Sequence, residues 1–137
     1  MELEVYLAET AAHAERQALM LQAARSRWQE TGALTPLEFA GALHGLQVLV
    51  ENAIGKAKHL LKAKNHAVPV SAYDAFELLA QCGLIPAVDL SAWQKAVGLR
   101  NRIVHDYLNL DPRIVYRLLE TEGYAFVIAF LRKTEVG

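Results

Sequence analysis

Four polar side chains that could act on a phosphate ester lie close together late in the chain: Arg100, Asn101, Arg102 and His105. Histidine exchanges protons near neutral pH, so an imidazole can remove a proton from a ribose 2′-hydroxyl or give one to a departing 5′-oxygen. Arginine offers a permanently charged planar fork for the negative charge that builds on phosphorus. An amide such as Asn101 could position a phosphate or brace the histidine ring. Together these residue types suit RNA cleavage without a metal.

The spacing of these residues raises a geometric question. On an ideal helix Arg102 and His105 share a face, whereas Arg100 and His105 lie about 140° apart. If both act on one phosphate, either the helix is distorted here or a second copy of the chain completes the site. A new helix is predicted to start at Pro112, soon after the motif, and this is compatible with distortion of the motif helix. Both alternatives therefore stay open.

The elements that must carry this segment are helices. Thr35-Pro36-Leu37-Glu38 has the form of a capping box with proline at the first helical position. The helix that it starts has one apolar stripe at spacings of four and three, formed by Phe39, Leu43, Leu46, Val50, Ala53, Ala57 and Leu60. Before it, apolar residues recur every seventh position from Leu7 to Trp28, which predicts a first long helix that ends near Gly32.

The second half of the chain is predicted from similar signals. Ser71 begins a short helix that stops at Gly83, and a capping box at Ser91 begins the helix that carries the motif. Asp111 and Pro112 begin one last helix, whose apolar face includes Ile114, Leu118, Tyr124, Ile128 and Leu131. We therefore predict an all-α, antiparallel up-and-down helical bundle of four long helices and one short helix. It forms a single domain over residues 1–137.

Composition excludes several classes of protein. The single cysteine, Cys82, rules out an intramolecular disulfide and a cysteine-rich metal site, and no carboxylate cluster suited to Mg²⁺ lies near the motif. No apolar run has the length of a membrane span, and the N-terminus lacks the layout of a secretory signal. We expect a cytoplasmic protein with no membrane contact, no metal and no cofactor.

The charge distribution is uneven, although the 137 residues carry a net charge of only −1. The stretch between residues 54 and 105 contains seven basic residues and only three acidic ones. The basic residues are Lys56, Lys58, Lys62, Lys64, Lys95, Arg100 and Arg102. Such a stretch is either an ordinary solvated helix face or a place where a phosphate backbone docks.

The motif and its surroundings resemble a known family. The segment from Arg100 to Tyr107 is similar to the signature of HEPN-domain proteins of the HepT type, in which arginine, four residues, histidine, any residue and tyrosine follow one another. The resemblance extends over about residues 36–120. It includes the short helix around Val70–Leu79 and the restart at Leu110-Asp111.

The resemblance implies a helical homodimer whose two motif segments meet around a cleft, acting as a metal-independent endoribonuclease toxin. In that family Arg100 would bind the phosphate and His105 would be the general acid/base, with Arg102 and Asn101 supporting them and binding RNA. The partner would be a nucleotidyltransferase antitoxin of the MntA type. It would neutralise the toxin by AMPylation, transferring AMP from ATP to Tyr107.

Two other functions are compatible with these residues. The chain could be a non-catalytic subunit that binds a nucleotidyltransferase and serves it as a substrate-binding or regulatory module. It could also be a purely structural dimerisation bundle. The first alternative has the same fold, dimer and partner as the toxin. It differs from the toxin in the role of Arg100 and His105, which would not be catalytic.

Overall fold

A computed structural model of the chain describes residues 2–135, most of which are helical. The helices are α1 (Leu3–Thr31), α2 (Pro36–Ala63), α3 (Ala72–Gln81), α4 (Leu90–Asp106), α5 (Pro112–Thr121) and α6 (Ala125–Arg132). Short 3₁₀ turns at Ala87–Asp89 and Tyr107–Asn109 flank α4, and residues 2–135 contain no β-strand. The predicted all-α class is confirmed. None of the helices in this range is both long and apolar enough to cross a membrane.

The two longest helices, α1 and α2, pack against each other and form the support for the rest. α3, α4 and α6 lie against α2, while α5 and α6 also contact α1. The predicted capping box is present at the start of α2: the Glu38 N–H donates to Thr35 Oγ1 at 3.1 Å, and the Thr35 N–H donates to Glu38 Oε1 at 2.8 Å. The apolar stripe of α2 is buried beyond Phe39, as its spacing predicts.

An aromatic cluster anchors α4, the helix that carries the motif. The Trp93 ring is 2% exposed and stacks on Phe76 of α3, with 4.1 Å between ring centroids. Phe126 and Phe130 of α6 approach the same indole edge-on, an arrangement that stabilises aromatic pairs beyond simple burial. Ile103 is buried nearer the end of the same helix. One face of α4 is therefore held in the core, and the opposite face is left to solvent.

The prediction of a single long helix after Asp111 is wrong, because α5 and α6 are separate helices. Glu122 adopts the left-handed conformation with φ 53°, and the Gly123 N–H donates to the Leu118 carbonyl at 3.1 Å, which closes α5. A Cβ on Gly123 would lie only 2.8 Å from Leu118 Cδ2, so a larger residue there would have to displace the end of that leucine side chain. Within residues 2–135 the bundle has three long and three short helices instead of four long helices and one short one.

Of the three predicted helix starts after that of α2, two agree with the structure. Ser71 caps α3 by accepting from the Asp74 N–H, and Asp111 caps α5 by accepting from the Arg113 N–H. The predicted cap at Ser91 is wrong. α4 begins at Leu90, because the preceding 3₁₀ turn already has helical backbone geometry and runs directly into it.

Lys56 is the largest departure from the predicted basic surface. Its side chain is 2% exposed, and Nζ donates to the Phe130 and Lys133 carbonyls, both at 2.5 Å. The ammonium also lies 4.7 Å from the centroid of the Phe130 ring. Lys56 therefore satisfies carbonyls at the C-terminal end of α6 and is not available to a phosphate backbone.

We expect Lys56 to make stability depend on pH. Burial, and to a smaller extent the charge of Lys133, lowers the pKa of Lys56 from 10.5 to about 8. Between these values the unfolded chain binds more protons than the folded one, so stability should rise with pH. Below about pH 8 the folded protein bears the full free-energy cost of burying the charged ammonium. This cost decreases as the pH rises towards 10.5.

The measurement is the free energy of unfolding in urea across that interval for the wild type and Lys56→Met. The wild type should gain stability relative to the variant as pH rises, whereas Lys64→Met, at an exposed position, should follow the wild type. Equal pH dependence in the wild type and Lys56→Met would contradict the assignment.

Candidate active site

The motif occupies the C-terminal half of α4 and the turn after it. Arg100, Asn101, Arg102 and His105 all lie on α4, which remains α-helical to Asp106, while Tyr107 begins the following 3₁₀ turn. The helix is therefore not distorted between Arg100 and His105, and the two side chains leave it about 140° apart. Of the two alternatives left open by the sequence, local distortion is wrong, because the backbone changes direction only beyond the motif histidine.

Arg100 is held by an acidic residue of the neighbouring helix. Its Nε donates to Glu51 Oε2 at 3.0 Å, and Nη2 lies 3.0 Å from the same oxygen. A third nitrogen, Nη1, donates to Asn101 Oδ1 at 3.1 Å. The Arg100 and Glu51 side chains are 30% and 34% exposed, so the ion pair is partly shielded from water. The guanidinium is thus fixed in one orientation and keeps N–H groups for a ligand.

Glu51 is the site residue that sequence reasoning missed. Its carboxylate also accepts from Gln47 Nε2 at 3.3 Å, so α2 contributes a small polar network to the motif. A signal was present in the sequence: Glu51 is the sole charged residue between Glu38 and Lys56, in a mainly apolar stretch of the helix. An isolated carboxylate in such a helix is expected to have a cationic partner when it is partly buried.

His105, Asn101 and Arg102 lie on the solvent face of α4 and are exposed. Gly98 lies near the middle of that face, and a Cβ added there would meet no atom within 4 Å. The imidazole is therefore accessible, and a second backbone could approach this face closely at Gly98. Asn101 contacts Arg100, so within this chain it braces the arginine and not the histidine.

Tyr107 extends from the turn after α4 and is 58% exposed. Its neighbours Val104 and Leu108 are 39% and 82% exposed, which gives the end of the motif an apolar surface. The Asn109 amide donates to Asp106 Oδ1 at 2.8 Å and stabilises the turn. More than half of the Tyr107 surface is thus accessible to solvent in the single chain.

The carboxylates near the motif already have partners. Asp111 caps α5 and forms a bidentate pair with Arg113, whose Nη2 lies 2.8 Å from Oδ2. The hydrogen bonds from the Arg113 side chain and backbone keep the pKa of Asp111 below its usual value, with Arg102 as a minor cationic contribution. Among residues 2–135 no group of three or more histidine, cysteine, aspartate and glutamate side chains is arranged to hold a metal ion.

The predicted basic stretch is divided by the fold. Lys56 is buried, and Lys58 is half-buried with its Nζ donating to the Val70 carbonyl at 2.9 Å. Lys62, near the end of α2, and Lys64, just after it, are exposed. The cationic residues that remain near the motif are Lys58, Arg100, Arg102 and the exposed Lys95 of α4.

Known proteins of similar sequence point to one family. The sequence model of the family "Ribonuclease HepT-like" matches residues 15–133. The mRNA nuclease HepT of Shewanella oneidensis is 39% identical over 75 residues, which cover 55% of this chain and 56% of that protein. A putative RNase of Archaeoglobus fulgidus is 30% identical over 101 residues, or 74% of this chain and 75% of that one. The first match thus spans little more than half of the relative's length.

Similar solved structures come from toxin–antitoxin complexes. A tri-AMPylated Shewanella oneidensis HEPN toxin in complex with an MNT antitoxin superposes with a TM-score of 0.80 at 26% identity, covering 93% of this chain and 96% of that one. A toxin–antitoxin structure with AMP-PNP gives a TM-score of 0.77 at 26% identity, covering 92% and 97%. The family match spans most of the chain, and these folds agree with it. The chain belongs to the ribonuclease HepT-like family.

Proposed function

We propose that this protein is a metal-independent endoribonuclease toxin whose activity is controlled by a nucleotidyltransferase antitoxin. The observation that carries the proposal is the presence on α4 of both an exposed imidazole, His105, and a guanidinium, Arg100, which Glu51 of α2 holds in place. The family membership and the names of the relatives support the same class of activity. The similar structures of AMPylated toxin bound to antitoxin support the mode of control.

The chemistry follows from the two side chains. One imidazole removes the proton from a ribose 2′-hydroxyl, whose oxygen attacks the adjacent phosphorus while the bond to the 5′-oxygen breaks. The departing oxygen takes up a proton, and the products carry a 2′,3′-cyclic phosphate and a 5′-hydroxyl. Arg100 stabilises the charge that grows on the phosphoryl oxygens. These groups supply the proton transfer and charge stabilisation that a metal provides in other nucleases.

A second copy of the chain would complete this site. Arg100 and His105 diverge on a regular helix, so the imidazole that acts beside Arg100 of one subunit comes from the other subunit. The open face at Gly98 and the exposed Val104 and Leu108 provide a surface for such pairing. Sedimentation equilibrium should give twice the 15.2 kDa chain mass. A monomer that cleaves RNA at full rate would contradict the shared site.

The proposal is tested by incubating purified protein with RNA in the presence of EDTA. Cleavage should continue, the new ends should carry cyclic phosphate, and a 2′-deoxy substitution at the cleaved nucleotide should block the reaction there. Expression of the wild type should arrest growth and degrade cellular RNA. Loss of cleavage in EDTA that is restored by added Mg²⁺ would overturn metal independence.

Tyr107 is the proposed AMP acceptor. Its phenolic oxygen would attack the α-phosphorus of ATP on the antitoxin, forming a phosphodiester and releasing pyrophosphate. The added negative charge and nucleoside, two residues from His105, would repel and occlude the RNA phosphate. The 58% exposure of this residue in the single chain supports the assignment.

Tyr107→Phe should remain toxic but escape neutralisation. The variant keeps the ring and loses only the hydroxyl, so its RNA cleavage should match that of the wild type. Mass spectrometry after incubation with antitoxin and ATP should show AMP on the wild type but not on Tyr107→Phe. Tyr116→Phe is a suitable control that should still take up AMP, because the half-buried ring of Tyr116 stacks on Trp28 of α1. Undiminished AMP uptake by Tyr107→Phe would refute the acceptor assignment.

A further inference from the structure

A groove lies beside Arg100, between α2, the start of α3 and α4. Its volume is about 740 Å³. Its apolar walls include Ile54 of α2 and Val97 of α4, and the half-buried Tyr73 lines it from α3. Arg100 and Asn101 form the end nearest the motif. This space is within the range of about 300–1,000 Å³ that is usual for sites that enclose a small organic group.

The polar groups of the groove are ordered and include two cations. Lys58 lines it, and its hydrogen bond to the Val70 carbonyl at 2.9 Å fixes the ammonium near the groove. That bond uses one of the three ammonium hydrogens, which leaves two for another acceptor. Arg100 provides the second cation, and its contacts with Glu51 and Asn101 leave part of the guanidinium unused. A ligand that has a flat apolar ring and a negatively charged group attached to it would match both the apolar walls and the two cations.

A nucleotide within single-stranded RNA has this character. Proteins recognise such nucleotides by stacking bases on aromatic side chains and pairing phosphates with cations. Tyr73 supplies an aromatic ring, Ile54 and Val97 supply apolar contacts, and Lys58 supplies a phosphate contact. Because Arg100 borders the groove, a nucleotide bound there would be next to the linkage that is cut.

We propose that this groove is a nucleobase-binding subsite, in which the base next to the scissile phosphate stacks on Tyr73 while Lys58 pairs with an adjacent phosphate. The inference rests on the proposed ribonuclease function and adds to it a place where the enzyme distinguishes its substrate. It also explains why Lys58 is held at the edge of the groove instead of extending freely into solvent.

The test measures binding of a short, fluorescently labelled single-stranded RNA to full-length protein made inactive by His105→Ala. Single abasic sites are placed at successive positions of the RNA. Loss of one base should weaken binding by roughly tenfold where the base stacks on Tyr73. Tyr73→Leu, which keeps apolar volume without the ring, should abolish that position-specific loss, and Tyr73→Phe should restore it.

The proposed phosphate contact of Lys58 is tested by removing the charge of its side chain. Lys58→Gln should weaken binding at every abasic position and lower the salt dependence by about one phosphate contact. Lys64→Gln, at an exposed residue outside the groove, should leave both the affinity and its salt dependence unchanged. Circular dichroism of each variant shows whether it has folded.

The proposal is overturned if Tyr73→Leu keeps the abasic profile of its parent. It is also overturned if that variant loses antitoxin binding while RNA binding is intact, since the groove would then serve the protein partner. Because this assay does not require cleavage, its failure is distinct from failure of the proposed function, which is scored by RNA cutting with His105 present.

Discussion

Replacing His105 with alanine should slow RNA cleavage by about 10²–10⁴-fold, the contribution typical of a general acid or base. The imidazole is exposed on α4 and no packing depends on it, so the variant should fold and melt like the wild type. Growth arrest on expression should disappear together with cleavage. The rate is measured from single-turnover cleavage of a labelled RNA, with the circular dichroism melt as the test of folding.

His13→Ala is the matched control, because that imidazole is exposed on α1 and lies outside the motif. It should retain full activity. The comparison also distinguishes the toxin from the alternative of a non-catalytic subunit. Such a subunit would have no cleavage activity to lose on His105→Ala and would still bind its antitoxin partner. Full cleavage by His105→Ala would therefore remove the proposed mechanism.

Arg100→Ala should reduce the cleavage rate by about 10²–10³-fold, as expected when a group that stabilises developing charge is removed. Arg100→Lys should recover little of this loss. A lysine carries the charge but cannot reach Glu51 and Asn101 while presenting a planar fork to the phosphate. Arg16→Ala removes an exposed arginine from α1 and should leave the rate unchanged.

The partial burial of Glu51 requires a control for folding. Removing Arg100 leaves this carboxylate without its cation, so Arg100→Ala should also lower stability. The double variant Arg100→Ala/Glu51→Gln removes the unpaired charge and should recover stability without recovering cleavage. Recovery of both would mean that Arg100 has a structural role only.

Subunits that carry different substitutions test whether the site is shared. A heterodimer of one Arg100→Ala chain and one His105→Ala chain has one site with both residues intact if the site forms across the interface. Purified through two different tags, it should have about half the wild-type activity, although each parent homodimer is inactive. An inactive heterodimer would place Arg100 and His105 of one chain in the same site.

Local signals determined most of the helical layout. The capping box at Thr35, the caps at Ser71 and Asp111, and the stripe on α2 all formed as predicted, because each depends on residues within one or two turns of each other. The break between α5 and α6 was missed. Apolar residues on both sides of this break fit one helical period, and the left-handed residue that ends α5 is Glu122, a residue type that gives no helix-stop signal in the sequence.

The motif residues could be predicted from the sequence because their types and spacing carry the chemistry. Arg100, His105 and Tyr107 stand close together in the chain, and a helix must display them within a few turns. The exposure of His105 on α4 also follows from local pattern, since Trp93 and Ile103 supply the buried face. How these side chains combine into one site depends on contacts with residues that are distant in the sequence.

Long-range packing decided the rest. It brought Glu51 of α2 to Arg100, a contact across 49 positions that no local period encodes. It buried Lys56 against the end of α6 and removed that lysine from the surface that a count of charges had assigned to it. The sequence by itself thus determined which side chains can do chemistry and on which helix they lie. Tertiary structure decided which of them are free, because pairing and burial of a charge depend on the helices that pack beside it.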